Sequence, residues 1–120
     1  RRLFGGGMRQ AGVIAAGALY ALKNNIGRLA DDHKRAKAIG ECLAQCTFVQ
    51  ELLPVHTNII IFKLKDQMLS DVFLGKLKSE GIIANTMGKQ CIRFVTHLDF
   101  NDEMLAKLII TLNKISNLEL

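Results

Sequence analysis

The sequence predicts an α+β fold, in which helices pack on a small, mainly antiparallel sheet. Four segments place apolar residues at three- and four-residue spacings, as helices do, and four shorter apolar runs are typical of strands. Their order along the chain is helix, helix, strand, strand, helix, strand, strand, helix. With 120 residues, the chain can bury a core but has little room for two full domains.

The first two predicted helices differ in polarity. The first covers residues 8–23, is rich in alanine and is apolar nearly all round, so that other elements can contact it from several sides. The second covers residues 28–46 and is amphipathic, with an apolar side formed by Leu29, Ala36, Ile39, Leu43 and Cys46. His33 lies near this apolar side, which favours a partly buried structural histidine over a catalytic one.

The last two predicted helices cover residues 67–80 and 103–116, and Gly81 is a fitting stop for the earlier of them. This third helix is predicted to direct four side chains inward: Leu69, Val72, Phe73 and Leu77. The fourth helix follows the capping residue Asn101 and is predicted to bury six: Met104, Leu105, Leu108, Ile109, Leu112 and Ile115.

The predicted strands cover residues 47–53, 57–64, 82–85 and 91–97. The second is apolar on both faces, which predicts a central strand that is covered on both sides. In the fourth strand, alternation places Arg93 on one face together with Cys91, Val95 and His97. An arginine among apolar neighbours either binds an anion or extends along a sheet edge into water, and the residues alone favour the second.

Composition excludes some classes of protein. The net charge of +5 comes from scattered Lys and Arg, so it argues only weakly for anionic ligands, and non-specific nucleic-acid binding stays possible. No apolar run approaches the roughly 20 residues of a membrane span, and no leader pattern is visible, so we expect a soluble protein.

Three cysteines cannot all pair, and reduced thiols indicate a cytoplasmic location. A zinc site of Cys42 and Cys46 with His33 or His97 is the less favoured alternative.

A glycine-rich loop at residues 1–12 carries the densest chemistry in the chain. Its sequence, Arg-Arg-Leu-Phe-Gly-Gly-Gly-Met-Arg-Gln-Ala-Gly, places three arginines around three contiguous glycines. Because the loop opens a helix, free amide N–H groups and the helix dipole would both favour an anion there. The spacing fits neither a phosphate-binding Walker loop nor a dinucleotide fingerprint. A tight interdomain turn with solvated arginines is the alternative.

Read as a string, residues 1–12 closely resemble the segment that follows the cofactor lysine in low-specificity L-threonine aldolases, pyridoxal-phosphate enzymes of the aminotransferase-like fold. A second match is Ile-Arg-Phe-Val-Thr-His-Leu-Asp at residues 92–99. The resemblance implies that residues 27–120 form the small C-terminal domain of that fold. Residues 1–26 would then be the glycine-rich loop and the linking helix from the large domain.

The resemblance also implies a chemistry. Enzymes of this family cleave a β-hydroxy-α-amino acid, such as threonine or allo-threonine, to glycine and an aldehyde, with pyridoxal 5'-phosphate as the electron sink. Arg93 matches the arginine that binds the substrate carboxylate, a role that suits a planar guanidinium. Arg9 and Arg2 match contacts to the cofactor phosphate or a neighbouring subunit, although the family usually has lysine where Arg2 stands. His97 would be a neighbouring structural group rather than the catalytic base.

By the same resemblance, the lysine that carries the cofactor precedes the glycine-rich loop. We therefore expect no catalytic residue within these 120 residues and no activity from them alone. The expected partners are a small amino-acid substrate, the missing large domain, and further copies in a homodimer or homotetramer. Neither nucleic acid nor a membrane is expected as a partner.

Two alternatives remain open. A β-eliminating lyase or an aminotransferase of the same fold would keep the cofactor and the carboxylate arginine but break a different bond. A basic α+β module that binds nucleic acid or a small effector would explain the charge. It is less favoured because Phe62 and Phe94 are better used in the core than for base stacking.

Overall fold

The computed structural model describes residues 7–118 and confirms the α+β class. Within this range, four helices and four strands follow the predicted order. They are α1 (Ala11–Asn24), α2 (Leu29–Leu43), β1 (Val49–Leu52), β2 (Ile59–Leu64), α3 (Ser70–Ser79), β3 (Asn85–Thr86), β4 (Cys91–Val95) and α4 (Asp102–Asn117).

The four strands form one antiparallel sheet in the order β1-β2-β4-β3. The pairing of β2 with β4 is the longest and runs from Ile59 opposite Val95 to Lys63 opposite Cys91. Strand β3 is shorter than predicted, because only Asn85 and Thr86 pair with β4. Strand β4 is therefore paired on both sides only at Ile92 and Arg93, and its last residues, Phe94 and Val95, have no β3 partner.

The shortness of β3 follows from the way α3 ends. Gly81 has a φ of 76°, and the N–H of Ile82 donates to the carbonyl of Leu77 at 2.9 Å, which is a glycine-terminated helix end. Gly81 is thus the predicted stop. The chain leaves this turn in a direction that keeps residues 82–84 out of the ladder, and Ile83 is 89% exposed.

An aromatic cluster connects the helices to the sheet. The ring of Phe62 on β2 lies 5.2 Å from that of Phe94 on β4 and 5.9 Å from that of Phe73 on α3. Phe48 contacts Phe73 at 5.1 Å. Aromatic contacts at these distances, two of them edge-to-face, add to the stabilisation from apolar burial. Helices α2 and α4 complete the same core with Ile39, Leu43, Leu108, Leu112 and Ile115.

The prediction that β2 is covered on both faces is wrong for residues 7–118. Ile60, Phe62 and Leu64 are buried, whereas Ile59 and Lys63 on the other face are exposed. The reason is that the buried side chains of α2, α3 and α4 all join one core on the same side of the sheet. The opposite side, which we call the open face, carries the odd-numbered residues of β2 and β4.

Further predictions about burial in α2, α3 and α4 are corrected. His33 is exposed and not a partly buried structural histidine, because α2 presents Asp32, Ala36 and Ile39 to the core instead. Leu69, Val72 and Met104 are also exposed, since α3 buries Phe73 and Leu77, with Leu74 partly buried beside them, and Met104 lies in the first turn of α4. Leu29 at the start of α2 is exposed as well.

Helix α1 has no buried residue among those that the structure describes. Its large apolar side chains are exposed throughout, among them Val13, Ile14, Leu19, Tyr20 and Leu22. It begins three residues later than predicted, after Gln10, whose φ is 56°. The division of the chain at residue 26 stays a prediction. No helix between residues 7 and 118 is long and apolar enough to cross a bilayer.

Gln90 closes the loop in front of α3. It is buried with a left-handed φ of 61°. Its Oε1 accepts hydrogen bonds from the N–H and hydroxyl of Ser70 at 3.0 and 2.9 Å, and its Nε2 donates to the carbonyl of Met68 at 2.7 Å. Because the N-cap residue Leu69 offers no side-chain acceptor, Gln90 supplies the cap of α3 from across the fold.

We expect Gln90→Ala to lower the free energy of unfolding by about 1–3 kcal/mol, because it leaves buried polar groups unpaired. Urea unfolding of the protein that contains this chain measures the effect. The matched control is Gln67→Ala, which changes an exposed glutamine in the loop between β2 and α3. It should leave the unfolding midpoint unchanged. Equal midpoints for the two variants would contradict the capping role.

Candidate functional site

Arg93 lies on the open face, as alternation predicts. It is half-buried in β4, between Ile61 of β2 and Asn85 of β3 in the ladder. None of the ion pairs formed within residues 7–118 includes its guanidinium. A half-buried guanidinium with no carboxylate partner in this part of the chain is suited to bind an anionic group from outside it.

A cleft of about 250 Å³ opens where residues 82–84 stand away from the end of β4. Three polar side chains of the cleft keep free donors or acceptors within residues 7–118, namely those of Arg93, Asn85 and His97. Its remaining walls are mostly apolar and include Ile39, Ile82, Ile83, Val95, Phe100 and Leu108. A few convergent polar groups in an apolar cleft are typical of sites for small organic ligands.

The imidazole of His97 is oriented by its own loop. Its Nδ1 accepts a hydrogen bond from the backbone N–H of Asp99 at 3.2 Å, and an oxygen of the Asp99 carboxylate lies 3.9 Å away. In the neutral ring the proton therefore sits on Nε2. His97 thus contributes a hydrogen-bond donor at the cleft.

The structure does not bring Arg9 to this cleft. Arg9 is exposed just before α1, and none of the cleft-lining residues precedes Ile39. The N-cap residue of α1, Gln10, makes no side-chain hydrogen bond to the start of the helix, so no side-chain cap is seen there within residues 7–118. Arg2 lies outside the described residues, as do Gly5 and Gly6.

The cysteines are free thiols within the described range, and two of them are structural. Cys46 is buried and its Sγ donates to the carbonyl of Cys42 at 3.3 Å. Burial raises the pKa of the Cys46 thiol to about 12 and also raises the pKa of Cys42. No group of three or more His, Cys, Asp or Glu side chains within residues 7–118 is placed to hold a metal ion. The zinc alternative therefore finds no ligand set there.

We expect Cys46 to make the fold sensitive to alkaline pH. Because its pKa rises on folding from an ordinary 9.0 to about 12, its contribution to stability is complete below pH 9 and declines as the pH rises toward 12. Cys46→Ala should flatten this decline in the free energy of unfolding. Cys91→Ala, at a half-buried thiol on the open face, should retain it. Identical pH profiles for the two variants would count against this role.

A buried acid, Asp32, has no counterpart in the sequence predictions. Its carboxylate accepts two hydrogen bonds from Arg28, at 2.8 and 3.0 Å, and only 2% of the residue is exposed. Arg35 lies 4.0 Å from it and binds Asp102 of α4 at 2.7 Å, which holds the pKa of Asp102 below its ordinary value. The four-residue spacing of Arg28 and Asp32 is a signal for the ion pair but not for the burial of the carboxylate.

The likeness to known proteins agrees with this architecture. The family model described as beta-eliminating lyase matches residues 1–67. The chain is 35% identical to the low specificity L-threonine aldolase of Escherichia coli over 109 residues, which is 90% of the chain and 31% of that relative. It is 36% identical to low-specificity L-threonine aldolase 1 of Arabidopsis thaliana over 100 residues, which is 81% of the chain and 28% of that relative.

Solved structures show the same fold. An ornithine aminotransferase from Toxoplasma gondii superposes with a TM-score of 0.68 at 22% identity, over 88% of this chain and 27% of its own. The cystine C–S lyase C-DES superposes with a TM-score of 0.65 at 20% identity, over 85% of this chain and 28% of its own. The fold is therefore that of the small domain of aminotransferase-like enzymes.

The chain belongs to the beta-eliminating lyase family. Its resemblance to threonine aldolases is also confirmed, since those are the curated relatives at 33–36% identity. The chain spans about a third of the length of these relatives, 31% in the case of the Escherichia coli protein.

Proposed function

We propose that the protein containing this chain is a pyridoxal-phosphate-dependent threonine aldolase, which cleaves L-threonine to glycine and acetaldehyde. The observation that carries the proposal is Arg93, whose guanidinium lies in an apolar cleft without a carboxylate partner in residues 7–118. The aldolase relatives support the reaction type. The finer assignments, namely the roles of Arg93, Arg9 and Arg2, belong to this proposal.

Arg93 is assigned to the substrate carboxylate. The planar guanidinium offers two parallel N–H donors, which fix the angle of a carboxylate as well as its distance. Its position on a strand paired on both sides, to Ile61 and Asn85, gives this contact a rigid base. With the carboxylate fixed, Arg93 would set the orientation of the substrate's Cα–Cβ bond, the bond that the proposed reaction breaks.

The described residues fit the phosphate of the cofactor. Arg9 is exposed beside the uncapped start of α1, where backbone N–H groups of Ala11 and Gly12 can bind a phosphate together with the guanidinium. Arg2 is assigned to the same phosphate or to a neighbouring subunit on the resemblance alone. The bound cofactor supplies the electron sink for the cleaved bond.

A second enzyme class deserves comparison, because the matching family model is described as beta-eliminating lyase. Such an enzyme, or an aminotransferase, would use Arg93 in the same way. The products separate the classes: an aldolase releases glycine and acetaldehyde from L-threonine, an eliminating lyase releases ammonia and a 2-oxo acid, and an aminotransferase requires an amino acceptor. The named aldolase relatives favour the first.

We expect Arg93→Ala, in the complete protein, to lower kcat/KM for L-threonine cleavage about 10- to 100-fold, as the loss of a charge-assisted pair of hydrogen bonds implies. Arg93→Lys should recover part of the activity. A coupled assay for acetaldehyde measures the rate. Lys63→Ala removes another cation from the open face, outside the cleft, and should leave kcat/KM unchanged. Equal effects of Arg93→Ala and Lys63→Ala would reject the carboxylate assignment.

We expect Arg9→Ala to weaken cofactor binding about tenfold, because it removes one charged contact to the phosphate. Equilibrium titration of the cofactor-free protein with pyridoxal 5'-phosphate measures the dissociation constant. Lys23→Ala, an exposed cation near the other end of α1, is the control and should bind as the unaltered protein does. An unchanged constant for Arg9→Ala would refute its role at the phosphate.

A further inference from the structure

We infer that Thr96 is a positioning residue for Arg93: it fastens the free end of β4 to α2 and to the segment before β2, and so sets where the guanidinium stands in the cleft. The inference rests on the proposed function, in which Arg93 binds the substrate carboxylate. Thr96 follows β4 directly, lines the same cleft and is only 1% exposed.

Every polar group of Thr96 has a partner. Its hydroxyl donates to the carbonyl of Asp32 on α2 at 2.8 Å. Its backbone N–H donates to the carbonyl of Asn58 at 3.0 Å, and its own carbonyl accepts from the side-chain amide of Asn58 at 2.7 Å. A buried threonine thus connects α2, the end of β4 and the segment before β2.

These hydrogen bonds matter because the last residues of β4 are not paired with β3. On one side, the ladder to β3 stops at Arg93 opposite Asn85. Residues 82–84 do not pair with β4, and the cleft lies where a longer β3 would have been. On the other side, the ladder to β2 stops at Val95 opposite Ile59. Beyond these points, the bonds of Thr96 hold the backbone that carries the cleft residues. Arg93 itself has no ion pair in residues 7–118, so its direction depends on its strand. Its ladder partners Ile61 and Asn85 hold that strand from the sides, and the bonds of Thr96 hold it at its end.

The other end of the connection is rigid too. Asp32 lies in the first turn of α2, and its carboxylate is bound in bidentate fashion by Arg28. Because the carboxylate is held, the carbonyl that receives the Thr96 hydroxyl is held as well. The connection therefore runs from a buried ion pair, through Thr96, to the strand that presents Arg93.

The chain offers a close control for this inference. Thr111 is a second buried threonine, but its hydroxyl donates only within its own helix, to the carbonyl of Lys107 at 2.9 Å. Thr111 does not line the cleft. Replacing either threonine by valine deletes one buried hydroxyl with little change in shape. Only Thr96 should affect how the site recognises a carboxylate.

The experiment compares kcat/KM for L-threonine with kcat/KM for L-threoninamide, which lacks the carboxylate, in the complete cofactor-loaded enzyme. The ratio of the two values reports carboxylate recognition and cancels any loss of folded protein. We expect the ratio to fall about tenfold in Thr96→Val, because a displaced guanidinium loses its aligned hydrogen bonds. Thr96→Ser, which keeps the hydroxyl, and Thr111→Val should both retain the ratio of the unaltered enzyme. If Thr96→Val does not fold, Asn58→Ala tests the same connection and should lower the ratio likewise.

The outcomes separate the inference from the proposed function. If Arg93→Ala abolishes the preference for L-threonine but Thr96→Val and Asn58→Ala keep it, the positioning role is overturned and the carboxylate clamp stands. If Thr111→Val lowers the ratio as much as Thr96→Val, the effect belongs to any buried hydroxyl and the positioning role is also overturned. If Arg93→Ala keeps the preference, the carboxylate clamp fails, and the inference fails with it.

Discussion

The packing of three helices on a single face of the sheet is the constraint on which the other features depend. Phe62 at the centre of β2 contacts Phe94 beside it and Phe73 above it, and Phe48 closes the cluster against Phe73. This core occupies the even-numbered side of β2 and β4. The odd-numbered side is consequently left for other contacts, and Arg93 lies on that side. A charged side chain can occur in a strongly apolar strand because the helices cover only one face of that strand.

The cleft arises from a defect in the same sheet. A full fourth strand would have covered β4 along its length, but the glycine turn at the end of α3 delays pairing until Asn85. The missing ladder exposes the last residues of β4 and leaves space between residues 82–84 and the strand. Thr96 donates to the carbonyl of Asp32 and accepts from the side-chain amide of Asn58, so the end of β4 is held although its β3 neighbour is missing there.

Features that depend on local periodicity, such as the face of a strand or the end of a helix, could be predicted from the sequence. Contacts between distant segments could not. Alternation placed Arg93 on one face, and Gly81 marked the end of α3, because these features are set by neighbouring residues. The burial of Asp32 could not be predicted in this way, since the hydroxyl that binds its carbonyl comes from 64 residues away. The exposure of Val72 depends on which side of α3 meets the sheet. The roles of Arg93, Arg9 and Arg2 came from family resemblance and stay predictions.

Helix α1 has a consequence for how the protein acquires its order. None of its 14 residues is buried within the described part of the chain, so tertiary packing there contributes little to its stability. Helices of this length are marginal in water by themselves. The helical state of α1 therefore gains little from packing within residues 7–118. Since Arg9 lies just before α1, the position of its side chain depends on whether that helix is formed.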